Sequence, residues 1–127
     1  MKRILVVDDE AGIRRSLRRI LERAGYEVTE ARNGQEAVRL WRDRPGHLVI
    51  TDIHMPDKDG IETIIELRAL TPGIRIIAMS GGVQTKHLDL LGDAVLLGAV
   101  STLEKPFSIQ AALDAVRAIL TEPQDDP

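Results

Sequence analysis

His47-Leu48-Val49-Ile50-Thr51-Asp52-Ile53-His54-Met55-Pro56-Asp57-Lys58-Asp59-Gly60 is the stretch that decides the fold. Leu48, Val49, Ile50 and, more weakly, Thr51 read as a buried strand. The apolar run stops at a carboxylate, Asp52. A loop with Pro56 and Gly60 follows, and a helical pattern starts at once. In an open parallel sheet, ligands bind beyond the carboxyl ends of the strands. Asp52 is therefore either a surface loop acid or the centre of a site.

Upstream, Ile4-Leu5-Val6-Val7 is a second buried-strand run, ending in Asp8-Asp9-Glu10. Ile13, Leu17, Ile20, Leu21 and Ala24 then recur at helical spacing, with Asp9 as the expected cap and Gly25 as the stop. Arg14, Arg15, Arg18, Arg19 and Arg23 fall on the opposite face, which is either simply solvated or a docking face for a partner. Tyr26 to Ala31 alternates like a half-exposed or edge strand. Asn33 and Glu36 have the spacing of a capping box. Ala37, Val38, Leu40 and Trp41 form the apolar face of the helix that follows, closed by Pro45-Gly46, and Trp41 reads as packing at a helix edge.

Downstream of the opening stretch, Ile61, Ile64, Ile65, Leu67 and Leu70 predict a helix face, ended by Thr71-Pro72-Gly73. Ile74 to Met79 reads as the fourth strand and runs into Ser80-Gly81-Gly82. A less regular helix is predicted from about 86 to 97, weakened by Gly92. Val100-Ser101-Thr102-Leu103 predicts a fifth strand, followed by Glu104-Lys105-Pro106-Phe107. The last helix uses Ile109, Leu113, Val116 and Leu120, with Ser108 as cap. The polar tail 121–127 is expected to fray.

Five alternations of strand and helix predict an α/β fold: a doubly wound, flavodoxin-like parallel sheet of five strands, order 2-1-3-4-5, covered by five helices. A chain of 127 residues suggests one domain, placed at 1–120, able to bury roughly two-thirds of its unfolded surface. Without cysteine it has neither a disulfide framework nor a thiolate metal site. A net charge of −3 makes no case for nucleic acid or membrane binding. The apolar runs are far shorter than the ~20 residues of a membrane span, and Met1-Lys2-Arg3 leads directly into a strand rather than a signal peptide. The expected setting is cytoplasmic. Aromatic content is only 2 %, so Ile, Leu, Val and Ala must build the core.

In the order 2-1-3-4-5, strands one and three are neighbours, which brings Asp8, Asp9 and Asp52 together. Three close carboxylates repel and raise one another's pKa, and a divalent cation relieves that repulsion. All-oxygen ligation suits Mg2+ or Mn2+. Ser80 after strand four and Lys105 after strand five supply a hydroxyl and an ammonium suited to a phosphoryl group. Phosphoryl transfer needs mostly positioning and charge neutralisation, and Asp52 is then the nucleophile that forms an acyl phosphate. Singly, each feature has an ordinary meaning: Asp-Asp caps a helix, Ser before Gly-Gly makes a turn, Lys-Pro sits in a loop. Their joint placement after successive strands carries the functional reading.

At these residues the chain resembles the receiver domain of two-component response regulators. The matching pieces are Ile4 to Glu10, Ile50 to Pro56 with Asp59-Gly60, Ala78-Met79-Ser80-Gly81, and Leu97-Gly98-Ala99 through Lys105-Pro106-Phe107. The resemblance implies that Asp52 accepts a phosphoryl group from a histidine kinase or phosphotransfer protein. It implies that Asp9, Asp52 and the backbone carbonyl of His54 bind Mg2+, with Asp8 acting through a metal-bound water. It implies that Lys105 pairs with the phosphoryl oxygens, that Ser80 moves to bond them, and that the Lys105-Pro106 peptide is cis. Arg14, Arg18 and the loop at Pro106 would dock the phosphodonor. The face made by the helix over 86–97, the fifth strand and the last helix would carry the signal to a downstream protein, and two copies could pair through it. The chain would act as a switch that catalyses only its own phosphorylation and dephosphorylation.

One position departs from the family pattern. Thr102 stands where an aromatic usually swings inward on activation, so Ser80 and Thr102 make an incomplete switch; Thr102→Ala is then expected to leave phosphorylation of Asp52 nearly intact. Gly81 after Ser80 leaves the phosphoryl group open to water and partners. His54 either points to solvent or influences attacking water. If the chain is complete, it is a stand-alone receiver or a phosphate-relay intermediate; if not, a DNA-binding or enzymatic output domain follows. An aspartyl-phosphate phosphohydrolase on a similar fold would place a second Asp where His54 stands, which disfavours that class. A receiver-shaped scaffold that is never phosphorylated would not need the full set of Asp8, Asp9, Asp52, Ser80 and Lys105. No glycine-rich nucleotide loop is present.

Overall fold

Five apolar segments pair side by side in the computed structural model, which describes residues 1–53, 60–81 and 101–120. They are β1 (Arg3–Val7), β2 (Glu27–Ala31), β3 (Leu48–Asp52), β4 (Ile76–Gly81) and β5 (Ser101–Lys105). All pairings are parallel and the order is β2-β1-β3-β4-β5, as the sequence predicts. The described helices are α1 (Ala11–Arg23), α2 (Gly34–Asp43), α3 (Gly60–Leu70) and α4 (Ile109–Leu120). The loop 54–59, the helix expected over 86–97 and the tail 121–127 lie outside the described residues.

Strand side chains alternate between two faces, and each face builds its own core. Leu5, Val7, Val49 and Ile76 pack with Ala37, Val38 and Trp41 of α2 and with Ile64 and Leu67 of α3. Ile4, Val6, Ile50 and Ile77 pack with Leu17 and Leu21 of α1 and with Ala112, Val116 and Ile119 of α4. Each such fully buried aliphatic side chain contributes ~1.5–3 kcal/mol. Trp41 is buried and donates Nε1–H to Thr71 Oγ1 at 2.9 Å, a packing role with its polar atom satisfied.

Local chemistry sets the helix ends. Asn33 Oδ1 accepts from Glu36 N at 2.8 Å, while Glu36 Oε1 accepts from Arg32 N, one residue ahead of the usual capping box. Ser108 Oγ accepts from Ala111 N at 3.0 Å. At the end of α1, Gly25 takes φ 98°, which only glycine adopts cheaply; Gly25 N bonds Glu22 O and Tyr26 N bonds Leu21 O, a Schellman closure.

Four expectations are corrected. Asp9 does not cap α1: an Asx turn, in which Asp8 Oδ1 accepts the Glu10 N–H at 2.9 Å, leads into the helix, and Glu10 occupies the cap position without a side-chain bond. In α3 the buried face is Gly60, Thr63, Ile64 and Leu67, leaving Ile65 and Leu70 exposed; the register of a 3.6-residue turn selects i, i+3, i+4 and i+7. In α4 the buried residues are Ala112, Val116, Ile119 and Leu120, so the face is rotated from the one predicted, with Ile109 exposed and Leu113 only partly covered. The strands also run further at their carboxyl ends than the apolar runs suggest. Asp52, Ser80 and Lys105 are strand residues, held by ladder partners, rather than loop residues.

Candidate functional site

The carboxyl ends of β1, β3, β4 and β5 bring Asp8, Asp9, Asp52, Ser80 and Lys105 to one end of the sheet. Asp8 follows β1 directly and is fully buried. Its N–H donates to Ala31 O at 3.1 Å, and its Oδ1 accepts the Glu10 N–H. Asp9 is exposed. Asp52 closes β3 and is 4 % exposed. Asp8, Asp9 and Asp52 can each offer a carboxylate oxygen within 4.8 Å of the others.

Lys105, the last residue of β5, reaches across β4 and β3 to these acids. Its Nζ lies 2.7 Å from Asp8 Oδ2, 3.3 Å from Asp52 Oδ2 and 3.9 Å from Glu10 Oε1. Burial works against its ammonium, but the hydrogen bond to Asp8 and the charges of Asp52 and Asp8 outweigh it, and its pKa is raised. Asp8 is pushed up to about 6. Burial is the largest cause, Asp52 adds to it, and the bonds from Lys105 and Glu10 N–H oppose it. Of the repulsion expected among the three acids, that of Asp52 on Asp8 is present, and desolvation of Asp8 exceeds it. The Lys105-Pro106 peptide is cis.

Ser80 is fully buried at the end of β4, and its hydroxyl finds no hydrogen-bond partner among the described residues. A buried unsatisfied hydroxyl is uncommon in native proteins and calls for an explanation. Thr102 is exposed on β5. His54 lies outside the described residues. Arg14 and Arg18 are both engaged with Glu30 of β2; Arg14 is half-buried, while Arg18, Arg15, Arg19 and Arg23 are exposed. Pro106 is exposed next to Lys105.

Three residues have roles at the site that the sequence did not assign to them. Glu10 supplies both an N–H to Asp8 and a carboxylate near Lys105. Arg14 donates Nη1–H to the Asp8 carbonyl at 2.8 Å. Gly60 packs the start of α3 against the end of β3 so closely that a Cβ there would stand 2.3 Å from both Asp52 O and Ile53 Cα. An acid on an edge strand facing an arginine helix hints at the second; nothing in the sequence distinguishes Gly60 from a turn glycine.

The set has the chemistry of a hard divalent cation beside a phosphoryl group. Three carboxylates supply oxygen donors, and their repulsion disfavours leaving them uncompensated. Lys105 supplies an ammonium in contact with two of the acids, and Ser80, at the end of β4, supplies an unpartnered hydroxyl. These residues fit Mg2+.

Residues 4–117 match the family model described as the response regulator receiver domain. The chain is 34 % identical to sporulation initiation phosphotransferase F of Bacillus subtilis, covering 94 % of each. It is 36 % identical to chemotaxis protein CheY of Thermotoga maritima, over 93 % of this chain and 97 % of that protein. With response regulator MprA of Mycobacterium avium it shares 39 % identity, but there 98 % of the chain spans 54 % of the relative. Among solved structures, a CheY-like receiver domain protein from Methanospirillum hungatei superposes with a TM-score of 0.87 at 30 % identity, covering 95 % of this chain and 94 % of that one.

Proposed function

The chain belongs to the receiver domain family of two-component response regulators, and from that premise we propose that Asp52 is its phosphoacceptor, charged by a histidine kinase or a histidine phosphotransfer protein. The observation that carries this is the convergence of Asp8, Asp9 and Asp52 with Lys105 Nζ at 3.3 Å from Asp52 Oδ2.

An Asp52 carboxylate oxygen attacks the phosphorus of a phosphohistidine. The new O–P bond forms as the P–N bond breaks, and the departing imidazole takes up a proton. Asp9 and Asp52, with the His54 carbonyl and with Asp8 acting through water, would hold Mg2+, which would supply charge neutralisation for the phosphoryl oxygens. Lys105 leaves its place against Asp8 to pair with those oxygens, and the Ser80 hydroxyl gains the acceptor it lacks. The chain catalyses only its own phosphorylation and dephosphorylation.

Phosphorylation adds roughly −1.5 to −2 charge at one point. Movement of Ser80 passes that change toward β5, α4 and the segment 86–97, where a downstream protein or a second copy binds. Thr102 cannot supply the aromatic part of the usual switch, so Ser80 carries it. The phosphodonor docks beside the site on α1 and Pro106. A groove of about 610 Å3 between α1 and α4, lined by Arg19, Ile20, Arg23, Phe107 and Leu113, supports docking on that side. Among the described residues no helix is long and apolar enough to cross a membrane. The setting is cytoplasmic, and neither nucleic acid nor membrane is contacted directly.

The MprA match, which spans about half of that regulator, favours a second reading in which this chain is the receiver of a larger regulator. The test of the phosphoacceptor is chemical: after incubation with a small acyl phosphate and Mg2+, the modified protein should lose its phosphoryl group to hydroxylamine, which cleaves acyl phosphates. Peptide mapping should then place the adduct on Asp52. A hydroxylamine-stable adduct, or one elsewhere, would overturn the assignment.

A further inference from the structure

We propose that Arg14 is a positioning residue for the acid cluster: with Glu30 as its anchor, it holds the Asp8–Asp9 turn in the shape that receives a divalent cation. This rests on the function proposed above and goes beyond it.

Arg14 lies one turn into α1, and its side chain is only 13 % exposed. Its guanidinium bridges two elements. Nη1–H donates to the Asp8 carbonyl at 2.8 Å, and Nε–H donates to Glu30 Oε1 at 3.1 Å. Glu30 is itself fixed, because Oε2 accepts Arg18 Nη1–H at 3.1 Å. Glu30 shares its face of β2 with Val28, which packs in the α1-side core. A planar, permanently charged fork held at both ends has little freedom to turn.

The Asp8 carbonyl belongs to the peptide that leads into Asp9, so fixing that peptide fixes where Asp9 departs from the strand. The other atoms of Asp8 are gripped independently: N–H by Ala31 O, Oδ1 by Glu10 N–H and Oδ2 by Lys105. Arg14 supplies the remaining hold, on the carbonyl. Three close carboxylates repel, and a turn free to rotate would splay them. A clamped turn keeps the donor atoms together before the cation arrives, and outer-shell contacts of this kind tune metal affinity by 10–100-fold. The same contacts weaken a docking role for the Arg14 head group. A partner would find it largely covered, whereas the Arg18 side chain is 45 % exposed.

The test titrates Mg2+ calorimetrically into the wild type and into Arg14→Ala, Arg14→Lys and Glu30→Gln. Phosphorylation by a small acyl phosphate is followed against Mg2+ concentration in parallel. Arg14→Ala should weaken Mg2+ binding about tenfold. Arg14→Lys should restore part of the affinity, since an ammonium can reach the carbonyl but cannot also hold Glu30. Glu30→Gln should shift affinity in the same direction by less. The rate at saturating Mg2+ should fall far less than the affinity. Unchanged Mg2+ affinity with a lower melting temperature would overturn the proposal, since it would mark a merely structural arginine. Should Arg14→Ala fail to fold, unchanged affinity in both Arg14→Lys and Glu30→Gln would do the same. A wild type that binds no Mg2+ would overturn the underlying function as well; a wild type that binds it, with variants that match, would overturn the clamp alone.

Discussion

Lys105 Nζ sits closer to Asp8, at 2.7 Å, than to Asp52, at 3.3 Å. The ammonium is shared between the two acids, with its tighter bond on the one that the fold buries completely. Even so, the Asp8 carboxyl is pushed up to about 6, because burial outweighs the lysine. A carboxyl whose folded pKa lies above its unfolded value favours folding below the unfolded pKa, near 3.8, and that contribution is lost as pH rises through about 6. In chelator, Asp8→Asn should therefore flatten the stability profile between pH 4 and 7 and gain roughly 2–3 kcal/mol on wild type at the upper end, a figure already net of the ion pair with Lys105. Denaturant melts at stepped pH check this; parallel profiles for the two proteins would contradict it.

Ser80 presents the opposite case, a buried group with no partner to lose. Ser80→Ala should leave metal-free stability unchanged or raise it by about 1 kcal/mol, since an unsatisfied hydroxyl costs free energy to bury. The same change should reduce the extent of Asp52 phosphorylation and any response of partner binding to it. Thermal melts paired with phosphorylation assays separate the two effects. A loss of stability without a loss of phosphoryl response would mean that the hydroxyl serves the resting fold.

Gly60 determines how near α3 can come to the end of β3. With a Cβ only 2.3 Å from Asp52 O and Ile53 Cα, backbone rather than a flexible side chain would have to move. Gly60→Ala should cost about 1–3 kcal/mol, in the range of overpacked cores, and should slow phosphorylation because the strain falls on Asp52 itself. Denaturant unfolding and the rate with a small phosphodonor report the two consequences; wild-type values for both would show that α3 has slack.

At the other end of the sheet, His47 Nδ1 accepts the Arg3 N–H at 2.9 Å, tying β1 to the start of β3. Burial, then the charges of Lys2, Arg3 and the amino terminus, lower the His47 pKa. A histidine lowered on folding contributes stability above its unfolded pKa, near 6.5, and that contribution is lost as pH falls through the folded value. His47→Asn can keep an acceptor without titrating, so it should flatten the acid side of the profile below pH 6.5. His47→Ala should lose about 1 kcal/mol at neutral pH with the hydrogen bond. Identical acid limbs for wild type and His47→Asn would argue against the clasp.

Period and position made most of this legible. The strand cores Ile4–Val7 and Leu48–Thr51, the topology and the five chemical residues could be read because buried parallel strands are continuous apolar runs with their chemistry at one end. What could not be read depends on three-dimensional approach. The face of α4 was misjudged because small residues such as Ala112 take the buried places while Ile109 remains outside. Strand ends were set short because Asp52, Ser80 and Lys105 are polar, and only the ladder shows that they are strand residues. The Arg14–Glu30 pair joins residues 16 apart, and no local pattern records it.

The most direct test of the central claim is intact-mass measurement after incubation with a small acyl phosphate and Mg2+, on wild type and on Asp52→Asn. One phosphoryl adduct on the wild type and none on Asp52→Asn is the predicted result. No adduct on the wild type, or an equal adduct on both proteins, would contradict Asp52 as the phosphoacceptor.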